Sequence, residues 1–140
     1  MADLATTLRD IEEDFALLSD WEERYGHVIE LGRAMDPLPE AERTEANRVR
    51  GCASQVWLVS HLDPATGLLT FRGDSDAHIV RGLVALMIAV YSGRTPDEAL
   101  GIDAKGLLAR IGLDEALTPQ RSNGLAALVA RMRQAAEAVA

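Results

Sequence analysis

The run Gln55-Val56-Trp57-Leu58-Val59-Ser60-His61-Leu62-Asp63-Pro64-Ala65-Thr66-Gly67-Leu68-Leu69-Thr70-Phe71-Arg72 decides the fold. Val56 to Val59 leave neither face polar, and valine and tryptophan fit a pleated surface, so Gln55–Leu62 reads as a well-buried strand. Asp63-Pro64-Ala65-Thr66-Gly67 has the chemistry of a chain reversal, because proline presets one backbone angle and glycine tolerates the unusual ones. A second strand over Leu68–Arg72 returns to complete a hairpin. Asn47 to Arg50 reads as a third, shorter strand. Beyond the hairpin, Gly73-Asp74-Ser75-Asp76 ends the strand, with Asp74 and Asp76 as caps of a helix from about Ala77 to Ser92. Ile79, Val80, Leu83, Val84, Leu86, Met87, Ile88 and Val90 surround most of that helix, which marks it as the central core helix. Gly82 inside it costs about 1 kcal/mol relative to alanine, so a close backbone approach is expected there.

Outward from this centre the chain is helical. Leu4, Leu8, Ile11, Phe15 and Leu18 recur at helical spacing. Ser19 and Asp20, with Glu22 and Glu23 three residues on, announce a second helix start. That helix is read as burying Trp21, Tyr25, Val28, Ile29 and Gly32 or Met35, and Pro37 and Pro39 stop it. Glu40–Asn47 is polar, with room for only a short helical turn. Thr95-Pro96-Asp97-Glu98 opens a short helix, Ala104–Ile111 forms another, and Thr118-Pro119 opens the last, which buries Leu125, Leu128, Val129 and Met132. The fold class is α+β: one domain over residues 1–140, in which a small antiparallel three-stranded sheet is packed by N- and C-terminal helices and a central apolar helix.

Composition narrows function. The chain carries 14 Lys plus Arg against 22 Asp plus Glu, a net charge of −8 that suits neither nucleic acid nor an anionic membrane. One cysteine excludes an internal disulfide framework, a zinc finger and a CxxC pair. The acidic, periodic start MADLATTLRDIEEDF lacks the apolar run of a signal peptide, and Leu83 to Tyr91 is too short to span a bilayer. A soluble, cytoplasmic domain is expected.

Cys52 is the candidate nucleophile. It follows Gly51 where irregular chain enters the buried strand, and glycine allows the tight loop that would present the next side chain. A small buried hydrophobe is the plainer reading of a lone cysteine. His27, His61 and His78 could serve it as a base, but none has a supporting signature; His61, on the strand leaving the loop, is the best placed. Trp21 and Trp57 read as core residues. Arg121 lies in the first turn of the last helix, where the dipole opposes a cation, which points to a tertiary partner as readily as to a solvated side chain.

Val49-Arg50-Gly51-Cys52-Ala53-Ser54-Gln55-Val56-Trp57 resembles the cysteine-loop motif of the SufE family, V-x-G-C-x-S-x-V-W. The likeness continues through Trp21-Glu22-Glu23-Arg24-Tyr25 and Ile29-Glu30-Leu31-Gly32, through Gly73-Asp74-Ser75-Asp76-Ala77 with Ile79-Val80-Arg81-Gly82-Leu83, and through Leu117-Thr118-Pro119 with Arg121-Ser122 and Gly124-Leu125. Four blocks in the family's order cover most of the chain.

The resemblance implies a SufE/IscU-like fold and a sulfur acceptor that needs no cofactor. Its partner would be a SufS-like (or related Csd-type) pyridoxal-phosphate cysteine desulfurase, its recipient a SufB-type Fe–S assembly scaffold, and its state a monomer or weak homodimer. Cys52 would carry the persulfide, Arg121 would anchor the loop or assist the thiolate, and Asp74 would support the site from the junction beside it. The single cysteine suits this role, since a second thiol would attack the persulfide and release sulfide. Three alternatives stand beside it: an IscU-like cluster scaffold, for which one thiolate is too few, a cysteine hydrolase, and a non-catalytic binding module.

Overall fold

The computed structural model describes residues 3–114 and 117–140. Helix α1 (Leu4–Ala16) begins at Asp3, whose carboxylate accepts the Thr6 N–H at 2.8 Å. Helix α2 (Trp21–Ala34) begins at Asp20, which accepts the Glu23 N–H at 2.9 Å, while the Ser19 hydroxyl donates to Glu23 Oε1 at 2.8 Å. The helix start announced at Ser19 and Asp20 therefore forms, and the first helix is capped as well. Trp21 departs from expectation: it is 58% exposed. As the first residue of α2 it stands apart from the buried positions Val28 and Gly32, and Tyr25 meets its ring edge-on at 6.2 Å.

A 3-10 turn over Glu40–Glu42 leads to strands β1 (Val56–Leu62) and β2 (Leu69–Ser75). They pair antiparallel from Val56↔Ser75 to Leu62↔Leu69. The sheet of the described residues has two strands, not three. The segment expected as the third makes one isolated bridge, Arg48↔Trp57, with the Val49 N–H donating to the Val56 carbonyl and the Leu58 N–H to the Asn47 carbonyl, both at 2.8 Å. Turns on both sides prevent further pairing: Asn47 N–H closes back on the Thr44 carbonyl, and Gly51 turns the chain away at φ +94°.

β2 runs on through Gly73, Asp74 and Ser75, where a strand break was expected. Gly73 is kept in the strand by packing, since a Cβ there would stand 2.8 Å from a Val84 methyl and 3.0 Å from the Trp57 carbonyl oxygen. The capping role read into Asp74 and Asp76 is also corrected. Helix α3 (His78–Tyr91) starts at Ala77 with no side-chain cap, and both aspartates bond elsewhere.

α3 is the core helix, with Ile79, Leu83, Val84, Leu86, Met87 and Val90 all buried. Burying one such side chain contributes about 1.5–3 kcal/mol. It packs on α2, on β2 and on the last helix. Gly82 permits the first of these contacts: a Cβ there would lie 2.0 Å from the Val28 carbonyl oxygen, and one on Gly32 would lie 2.7 Å from the Gly82 nitrogen. Two backbones thus meet at facing glycines.

Helix α4 (Pro96–Leu100) carries a complete capping box between Thr95 and Glu98. Helix α5 (Ala104–Arg110) follows, and α6 (Pro119–Val139) starts at Thr118, whose hydroxyl accepts the Arg121 N–H. α6 lies over α3, α4 and β1 and buries Leu125, Leu128, Met132 and Ala136. No helix among the described residues is long and apolar enough to cross a membrane.

Candidate functional site

The loop between the Arg48↔Trp57 bridge and β1 carries Cys52. Its root is held firmly. Besides the two bridge hydrogen bonds, the Gln55 N–H donates to Asp76 Oδ1 at 3.0 Å and the Ser75 hydroxyl donates to the Gln55 carbonyl at 2.8 Å. On the other limb, Arg131 of α6 donates to the Ala46 carbonyl at 2.7 Å and to the Arg48 carbonyl at 3.1 Å. The tip is held lightly. The Cys52 thiol donates to the Gly124 carbonyl at 3.4 Å, and a Cβ on Gly51 would meet the Ala127 methyl at 3.2 Å.

Cys52 is half-buried at a cavity of about 240 Å³. The starts of two helices line that cavity, Ala77, Ile79 and Val80 from α3 and Thr118, Gln120 and Arg121 from α6, over a floor that includes Val56, Leu83, Val84, Leu125 and Leu128. Burial pushes the Cys52 thiol above its ordinary range, and the Arg48 guanidinium draws it part of the way back. The amide dipoles at both helix starts favour negative charge. A sulfur anion in this cavity would therefore meet apolar walls and two favourable dipole ends.

Arg121 lines the cavity together with Cys52, and its guanidinium lies over the Tyr25 ring, 5.5 Å from the centroid. This aromatic face gives the guanidinium a tertiary partner, one of the two settings its place in the helix left open. Asp74 is not among the residues lining the cavity. It is fully buried, and its carboxylate accepts the Leu38 N–H at 2.9 Å, Arg43 Nη2 at 2.8 Å, the Ser75 N–H at 2.8 Å and Arg81 Nη1. Arg81 also donates to the Gly32 and Met35 carbonyls, so Asp74 joins β2 to α2 and α3. His61 and His78 are exposed, and His27 meets Phe15 edge-on at 5.0 Å. None of the three lines the cavity. Trp57 is buried as expected, beneath Arg43 at 5.4 Å.

Arg48, Arg131, the tether of Asp76 to Gln55, and Gly124 join the site without having been singled out by the sequence pattern. Only the last left a signal. Gly124 interrupts a helical pattern, as Gly82 does, and a Cβ on it would stand 3.4 Å from the Cys52 sulfur.

The profile of SufE, the Fe–S metabolism associated domain, matches residues 9–136. An uncharacterized SufE-like protein of Rhizobium etli is 53% identical over 133 residues, covering 94% of this chain and 90% of that protein. Another from Rhizobium meliloti is 52% identical over 134 residues, covering 94% and 96%. The solution structure of a hypothetical protein from Thermus thermophilus has the same fold, with a TM-score of 0.77, 23% identity and 95% of each chain covered. Profile and relatives span nearly the whole chain, and the chain belongs to the SufE family, which is associated with Fe–S metabolism.

Proposed function

We propose that this protein is a covalent sulfur carrier: Cys52 accepts sulfane sulfur from a SufS-type pyridoxal-phosphate cysteine desulfurase, stimulates that enzyme by clearing its product, and passes the sulfur to a SufB-type assembly scaffold. The observation that carries the reading is the setting of Cys52. It is the chain's one cysteine, on a loop with a firm root and a light tip, beside a small apolar cavity.

The chemistry balances without an external oxidant. The Cys52 thiolate attacks the outer sulfur of the donor's persulfide, a new S–S bond forms at Sγ, the donor's S–S bond breaks, and the donor leaves as a thiolate. The proton lost by Cys52 is matched by the one the donor thiolate takes up. At rest, burial favours the protonated thiol and lowers its reactivity. Docking draws the loop tip outward, releasing the weak S–H hydrogen bond from Cys52 to the Gly124 carbonyl. After transfer, the persulfide returns to a cavity whose largely apolar lining shelters it and whose helix starts favour its charge.

The test is mass spectrometry of the chain after incubation with a Suf-type desulfurase and cysteine. Cys52 is expected to gain the mass of one sulfur atom, and Cys52→Ser to gain nothing and to give no stimulation. Full stimulation by the serine variant would reject the covalent relay.

A further inference from the structure

Three large hydrophobic residues among those described are exposed, and two of them sit at one corner: Leu17 at 83% and Trp21 at 58%. Leu17 ends α1 and Trp21 begins α2. This corner connects to the sulfur site through a chain of contacts. Trp21 meets Tyr25, Tyr25 carries the Arg121 guanidinium on its ring, and Arg121 lines the cavity of Cys52. The surroundings carry an acidic excess: residues 10–23 hold seven carboxylates and no lysine or arginine, against the guanidiniums of Arg24 at the Leu18 carbonyl, Arg110 on Glu12 and Arg121 on Tyr25.

We propose that the Leu17–Trp21–Tyr25 corner is the docking surface for the protein that donates sulfur to Cys52, and that this donor presents an apolar socket with a basic rim. The identity of the occupant rests on the sulfur-acceptor reading of Cys52. An exposed tryptophan against a tyrosine that carries an arginine is the composition of a binding hot spot rather than of an ordinary solvated face. The acidic surround selects the class of partner. A second copy of this chain, related by a two-fold axis through the corner, would set that acidic stretch against itself, and like charges across an interface are unfavourable. A donor with a cationic rim meets it with complementary charge. The contacts from Trp21 to Arg121 then place the donor's sulfur beside the loop that must receive it.

The experiment is calorimetric titration of a Suf-type cysteine desulfurase with the wild-type chain, Trp21→Ala and Leu17→Ser, in the absence of cysteine. Each variant is expected to bind at least about tenfold more weakly. Each should melt within about 2 °C of wild type, because neither side chain is buried. Wild-type binding should also weaken as salt is raised. Unchanged affinity in both variants overturns the proposal, and so does a wild-type chain that does not bind the desulfurase. A self-associated wild type that either variant dissociates assigns the corner to a second copy and overturns it as well. Sulfur transfer to Cys52 is read separately by mass. Binding through this corner without any adduct rejects the carrier reading, whereas an adduct with variant-insensitive binding rejects the corner.

Discussion

The Cys52 sulfur rests against Gly124: the thiol donates to its carbonyl at 3.4 Å, and the missing side chain leaves the space that the sulfur fills. A Cβ on Gly124 would reach ordinary contact with Sγ at 3.4 Å and with the Cys52 Cα at 3.6 Å. Gly124→Ala should therefore be tolerated by the resting loop and stabilise α6 by up to about 1 kcal/mol through helix propensity. Gly124→Leu extends a branched side chain from a Cβ already in contact with Sγ, so it should crowd the cysteine and displace the tip. Iodoacetamide labelling separates the two, with rates near wild type or lower for alanine and several-fold higher for leucine. Equal rates for both variants would mean that Gly124 does not seat the thiol.

Reactivity should follow pH in a defined direction. Burial is the first cause that raises the Cys52 pKa, and Arg48 opposes it. The midpoint of labelling rate against pH should lie above that of free cysteine, and Arg48→Met should move it further up. The same shift affects stability. As pH rises through the ordinary cysteine range, the unfolded chain releases its proton first, so the contribution of Cys52 to stability declines with rising pH. Denaturant midpoints between about pH 7 and pH 9.5 should fall more steeply in wild type than in Cys52→Ser.

Asp74 is a structural junction, and its loss should be read in stability. Asp74→Ala leaves Arg81 and the Leu38 N–H without their buried acceptor. Removing one partner of a buried ion pair costs about 3–5 kcal/mol. Asp74→Asn keeps the shape and some hydrogen bonds, and should cost less. In both variants, under folded conditions, Cys52 labelling should stay close to wild type. A large change in labelling without loss of stability would return Asp74 to the sulfur site.

Facing glycines set the approach of α2 and α3. Gly82→Ala would place a methyl 2.0 Å from the Val28 carbonyl oxygen, an atom of rigid backbone, so the helices must separate. The gain of about 1 kcal/mol in helix propensity is opposed by overpacking of about 1–3 kcal/mol or more. The expected result is a lower unfolding midpoint, although the same substitution stabilises most helices.

What the amino-acid pattern makes legible is local. The hairpin turn, the caps at Asp20, Thr95 and Thr118, and the apolar circumference of α3 are carried by neighbouring residues, and each appears where its spacing places it. Asp74 and Asp76 mislead because an aspartate before a helix resembles a cap, whereas their partners include Leu38, 36 residues upstream of Asp74, and Gln55, 21 upstream of Asp76. Trp21 misleads because periodicity marks a helix face without saying where along the helix the neighbour ends. The third strand is over-extended in the sequence because pairing at Val49 and Asn47 is real but is cut short by turns on both sides. Cys52 stands out through its motif. Arg48 and Arg131 do not, since a guanidinium that bonds a distant carbonyl, or acts through space on a thiol, leaves no trace in spacing.

Arg131 shows what such a hidden contact is worth. Its two donors hold the Ala46 and Arg48 carbonyls on either side of Asn47, whose own carbonyl accepts the Leu58 N–H. One side chain of α6 thus braces the outer limb of the cysteine loop, while Gly124, seven residues earlier on the same helix, seats its tip. Water can replace the guanidinium at these carbonyls, so Arg131→Met should cost only about 1 kcal/mol in global stability. The local effect should be larger. With the brace gone, the Val49 and Leu58 amides should exchange with solvent faster, and Cys52 should label several-fold faster even though no group touching it has changed. Arg131→Lys can reach one carbonyl but not span both, and should fall between. If exchange at Val49 and Leu58 and labelling of Cys52 all match wild type in Arg131→Met, the loop is rooted by its other tethers and the arginine does not brace it.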